Sequence, residues 1–91
     1  MANSPDILTH FIDGKRVAGE SNRFGDVYNP ATGEIASQVP FASPAEVRAA
    51  VESSKAAFVG WSATPPAQRA RILFRYRDLV ESHKEELAEL V

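Results

Sequence analysis

Val27-Tyr28-Asn29-Pro30-Ala31-Thr32-Gly33-Glu34-Ile35 places the rest of the chain. Asn29 and Pro30 suit the first two positions of a type I turn, since Pro presets φ and Asn can bond its own backbone, and Gly33 then offers a residue able to take positive φ. The stretch reads as a hairpin connection between extended residues Phe24 to Tyr28 and a strand from Glu34 to Val39. Upstream, Thr9-His10-Phe11-Ile12 and Lys15-Arg16-Val17-Ala18 flank Asp13-Gly14, a strong two-residue hairpin signal because a type I′ turn needs φ > 0 twice. That loop length pairs Ile12 with Lys15, Phe11 with Arg16 and His10 with Val17, leaving Ile12 and Val17 on one side and Phe11 on the other. Two-stranded hairpins are marginal by themselves, so both must dock on something.

Downstream the pattern turns helical. Ser43-Pro44-Ala45-Glu46 combines an N-cap Ser, Pro at the first helical position and the Glu of a capping box. Val47, Ala50, Val51, Ser54, Ala57 and Phe58 share one face, and Gly60 suggests the end, with Trp61 beyond it as a packing anchor. Thr64-Pro65-Pro66 starts a second helix, with Thr64 as its cap, running to about Ser82. Ile72, Leu73, Tyr76, Leu79 and Val80 form its main stripe and Ala67, Ala70 and Phe74 a second one, so this helix is expected to pack on two sides. Ser82-His83-Lys84-Glu85 offers another capping box before Leu87, Leu90 and Val91. No Gly, Asn or Pro closes that last helix, and the reading is of a segment incomplete at its C-terminus. The expected plan is α+β: a flexible tail over residues 1–8, hairpins over 9–40, and two to three amphipathic helices over 43–91.

Composition narrows function mainly by exclusion. Of the 91 residues, 44% are hydrophobic and 24% charged, an ordinary globular balance, and a net charge of −2 gives no reason to expect nucleic acid or an anionic membrane as partner. The absence of cysteine rules out a disulfide, a thiolate metal site or a cysteine nucleophile within these residues. Met1 to His10 shows neither a secretory signal nor a transit peptide, and the expectation is cytoplasmic.

Arg69, Arg71, Arg75 and Arg77 point in different directions around the second helix and make no single basic face. Arg69 lies within the apolar stripe, where a guanidinium needs a carboxylate or backbone carbonyls, or else contacts an anion. His10 and His83 have no ligand-spaced partners and are not expected to bind metal or act in catalysis. Asp13 and Glu34 belong to turns, and Glu81, Glu85, Glu86 and Glu89 to a solvated helix face. With no Gly-rich phosphate loop and no nucleophile beside a base, the residues give no catalytic, cofactor-binding or metal-binding site.

Phe11-Ile12-Asp13-Gly14-Lys15, Tyr28-Asn29-Pro30-Ala31-Thr32-Gly33-Glu34, Ala49-Ala50-Val51 through Ala56-Ala57-Phe58, Trp61, and Arg69-Ala70-Arg71-Ile72-Leu73 occur in an order and spacing that resembles the N-terminal segment of the aldehyde dehydrogenase superfamily. His10 to Gly19, Arg23 to Tyr28 and Leu73 to Leu79 are most similar to its CoA-acylating, methylmalonate-semialdehyde branch. The resemblance implies an α/β parent in which a Cys attacks the aldehyde, hydride passes to NAD, and CoA resolves the thioester with decarboxylation. It implies a homo-oligomer, a tetramer, acting on a small aldehyde. It also makes these residues a piece of the nucleotide-binding domain that binds neither NAD nor CoA by itself and has the remainder of the dehydrogenase chain as its partner. A non-acylating aldehyde dehydrogenase and a free-standing helical interaction module without catalysis are the alternatives.

Overall fold

The two hairpins read from the turns form as expected in the computed structural model, which describes residues 4–91. In chain order the elements are β1 (Asp6–Ile7), β2 (His10–Ile12), β3 (Lys15–Val17), β4 (Phe24–Tyr28), β5 (Ile35–Pro40), α1 (Pro44–Ala63), α2 (Pro66–Ser82) and α3 (Lys84–Glu89). The chain divides into two units within α1, between Ala57 and Phe58.

In the first unit, β2 and β3 pair antiparallel with Ile12 opposite Lys15, Phe11 opposite Arg16 and His10 opposite Val17, the register set by the two-residue loop. Asp13 and Gly14 take φ values of 55° and 69°, as a primed turn demands. The organising turn is closed from both sides: the Thr32 and Gly33 N–H groups donate to the Asn29 carbonyl at 3.3 and 2.7 Å, and the Asn29 N–H donates to Glu34 O at 2.8 Å. Asn29 Oδ1 accepts the Ala31 N–H at 2.9 Å, the local bond expected of Asn, and Gly33 sits at φ 77°. Beyond the turn, β4 pairs antiparallel with β5, with an irregularity between Val27 and Tyr28, and Gln38 Nε2 donates across the pair to Asp26 Oδ1 at 2.9 Å.

The flexible tail expected over residues 1–8 is corrected at Asp6 and Ile7, which form a strand. Asp6 and Ile7 pair parallel with Ser37 and Gln38, making β5 the centre of a three-stranded sheet ordered β1-β5-β4. The Leu8 N–H extends the pairing to Gln38 O at 2.9 Å. The part of the tail over residues 1–3 lies outside the described residues.

The capping box at the start of α1 is present: the Glu46 N–H donates to Ser43 Oγ at 3.1 Å, and the Ser43 N–H donates to Glu46 Oε1 at 3.0 Å. Its far end differs from the sequence reading. The helix runs through Gly60, so Trp61 lies inside it rather than past it, and the side chain is 44% exposed. A single glycine costs a helix only about 1 kcal/mol, which the preceding turns outweigh.

In the second unit, Thr64 does not cap α2. Its Oγ1 donates backward to Gly60 O at 2.8 Å and closes α1, while Pro65 occupies the α2 N-cap without a side-chain bond. The capping box expected at Ser82 is likewise absent: Ser82 Oγ donates to Leu79 O at 2.9 Å, and His83 takes the N-cap of α3. Among the described residues no apolar side chain is fully buried. Both stripes of α2 are open, with Leu73 62% and Phe74 60% exposed, and Val47, Val51 and Phe58 of the expected α1 core face are exposed as well.

Candidate functional site

Two side-chain polar atoms sealed from water, His10 Nε2 and Glu46 Oε2, meet where β2 approaches the start of α1. Pro44 and the Ser43 cap fix the first turn of the helix, which carries Glu46 to a point 2.8 Å from His10 Nε2, measured at Oε2. The two side chains are 17% and 9% exposed, and the facing atoms are sealed from solvent. One carboxylate thus serves two elements, Oε1 taking the helix N–H of Ser43 and Oε2 facing the strand histidine. The Ser43 backbone N–H holds the Glu46 carboxyl below the usual range against the opposing effect of burial. The Glu20 backbone N–H, the Ser43 hydroxyl and His10 lower it further.

Gly19 completes the junction. A Cβ at this position would stand 2.6 Å from Pro40 Cβ and 3.5 Å from His10 Nε2, so only glycine admits the close approach. Nearby, Ser21 Oγ donates to the Phe41 carbonyl, and the Arg23 guanidinium lies over the Phe41 ring, 5.9 Å from its centre. These bonds tie the segment after β3 to the segment after β5 and leave the helix start in a fixed place.

Beside the His10–Glu46 contact opens a cleft of about 340 Å³, walled by Phe11, Ile12, Ala42, Val47, Ala50 and Val51. Such walls receive apolar side chains. The ionisable residues of the lining are His10 and Glu46, 2.8 Å apart, with no lysine or arginine beside them to meet the phosphates of a dinucleotide or coenzyme A.

Arg69 departs from expectation. It is half-buried in α2, yet Nε is sealed from solvent without a hydrogen-bond partner, and among the described residues it pairs with no carboxylate. His83 turns out to be a helix-closing residue: its Nδ1 lies 2.8 Å from Leu79 O, and its N–H reaches the same oxygen at 3.1 Å. Arg71, Arg75 and Arg77 are exposed. The His10–Glu46 contact was not legible in the sequence, since only the capping box announced Glu46 and nothing near His10 announced a partner. Among the described residues no group of three His, Cys, Asp or Glu could hold a metal ion, and no helix is long and apolar enough to cross a membrane.

The profile described as "Aldehyde dehydrogenase family" matches residues 17–91. Malonate-semialdehyde dehydrogenase 2 of Geobacillus thermodenitrificans is 50% identical over 84 residues, covering 92% of this chain and 17% of its own length. Malonate-semialdehyde dehydrogenase 2 of Bacillus cereus is 43% identical over 88 residues, covering 97% of this chain and 18% of its own. Among solved structures, a chain assigned as methylmalonate-semialdehyde dehydrogenase from Sinorhizobium meliloti, complexed with NAD, superposes with a TM-score of 0.89 at 49% identity. The match covers 97% of this chain and 18% of that one. The present chain therefore spans less than a fifth of the length of these relatives.

Proposed function

The chain belongs to the aldehyde dehydrogenase family, and from that membership we propose that it is the N-terminal structural segment of an NAD-dependent, CoA-acylating (methyl)malonate-semialdehyde dehydrogenase. The observation that carries the reading is the likeness to the methylmalonate-semialdehyde dehydrogenase structure, at 49% identity over 97% of this chain. The likeness to proteins named malonate-semialdehyde dehydrogenase, at 43% and 50% identity over 17–18% of their length, supports the same reading.

For malonate semialdehyde, the overall reaction of the intact enzyme takes aldehyde, NAD and CoA to acetyl-CoA, carbon dioxide and NADH; the methylated substrate gives propionyl-CoA. In this reading the nucleophile and both cofactor sites belong to the rest of that enzyme, in keeping with a sequence that holds no cysteine. The part played by residues 1–91 is structural: the hairpins and helices belong to the nucleotide-binding domain, and their open apolar faces suit cover by the remainder of the chain. A tetramer in the cytoplasm completes the reading.

The test is turnover by the full-length dehydrogenase carrying this segment. NADH formation from malonate semialdehyde that depends on added CoA and yields acetyl-CoA is the expected outcome. Equal rates with and without CoA would replace the acylating assignment with a non-acylating aldehyde dehydrogenase.

A further inference from the structure

We propose that Asp13-Gly14 is a modification site at which the aspartate rearranges spontaneously to isoaspartate, at a rate set by opening of the β2–β3 hairpin that the His10–Glu46 contact holds in place. The reactants are adjacent and accessible. The Asp13 side chain is 73% exposed, and Gly14 carries no side chain to crowd its own nitrogen, the space where a Cβ would stand being clear of other residues beyond its chain neighbours to 4 Å. The chain's other aspartates precede Ile7, Val27 and Leu79, whose side chains crowd the same nitrogen.

The Gly14 nitrogen attacks Asp13 Cγ. A C–N bond forms, and the nitrogen's proton leaves with the carboxyl hydroxyl as one water, closing a five-membered imide. Water then opens the ring by breaking the bond between the Asp13 main-chain carbonyl carbon and the Gly14 nitrogen. The chain thereafter continues through Cβ and Cγ, and the former carbonyl becomes a carboxylate. One water departs and one enters, so mass and oxidation state are unchanged and no further reactant is needed.

The observed turn restrains this step. With both residues left-handed, at φ 55° and 69°, the primed turn directs Asp13 Cβ away from the Gly14 nitrogen, and ring closure requires the turn to be undone. The hairpin is poorly defended against that, for each strand has three residues and the two form a sheet of their own. The Lys15–Asp13 pair across the loop spans 4.0 Å between exposed groups and adds little. What fixes β2 from outside is His10, 2.8 Å from Glu46 on α1. Isomerisation would lengthen the turn by one backbone carbon and destroy the Ile12–Lys15, Phe11–Arg16 and His10–Val17 register.

The experiment is to age the protein in mildly acidic buffer at physiological temperature and measure isoaspartate site by site, by enzymatic methyl transfer and by backbone-fragmentation mass spectrometry. The expected result is isoaspartate at Asp13 severalfold above Asp6, Asp26 and Asp78, rising further in Glu46→Gln and in His10→Gln while Asp26 stays level. Equal modification at all four aspartates, or none at Asp13, overturns the site. An unchanged Asp13 rate in both variants, or a rise at all four sites together, overturns the control by the hairpin.

Discussion

Glu46 is held anionic chiefly by a backbone N–H, and that gives the junction a definite response to acid. Its native carboxyl titrates below the usual range, so the stabilisation is complete above the ordinary carboxylate value. It is lost as the pH falls through that value and then through the depressed native one. Glu46→Gln should therefore melt below the unsubstituted protein at neutral pH, with the gap closing in acid, and thermal melts across an acid series read this directly. Gly19 sets a steric limit at the same place. Gly19→Ala forces a Cβ against the Pro40 ring and should cost about 1–3 kcal/mol, the usual penalty for overpacking, as measured by denaturant titration. At Arg69 the same logic runs in reverse, since a shielded nitrogen without an acceptor marks where a partner supplied from elsewhere would be worth most.

Among the elements, α1 invites a gain of stability. Gly60 lies inside it with nothing within 4 Å of where a Cβ would stand, so Gly60→Ala should stabilise the helix by roughly 0.5–1 kcal/mol, visible as higher helicity and a later melt. The reason Gly60 suggested a helix end also explains what sequence can and cannot tell here. Turn chemistry is local: Asp13-Gly14 fixed the register of β2 and β3, Asn29 with Gly33 fixed the turn before β5, and Ser43 with Glu46 fixed the start of α1. Where two local signals compete, propensity alone misleads. Thr64 had two possible carbonyl and N–H partners and chose the end of α1 over the start of α2. Contacts between residues distant in sequence leave no local trace, which is why neither the parallel pairing of Asp6 and Ile7 with β5 nor the His10–Glu46 contact could be read beforehand.

For the molecule as a whole, family membership and apolar exposure point the same way. Phe11 is 73% exposed and Val59 72%, while the relatives that share this segment are more than five times as long, at 17–18% coverage. Residues that a short chain leaves open are thus available to a longer one. In a full-length dehydrogenase carrying this segment, a Leu73→Asp substitution should lower soluble yield and melting temperature, a loss that thermal melts of the two proteins would register. The parallel pair at the start of the chain has a practical corollary for handling the protein. Because Asp6, Ile7 and Leu8 occupy one margin of β5, they act as a guard on a strand whose N–H and C=O groups would otherwise recruit another molecule. Trimming the chain through Leu8, as is common when an N-terminus looks dispensable, should produce concentration-dependent association detectable by light scattering, whereas a purification tag placed ahead of residue 4 should leave that guard in position.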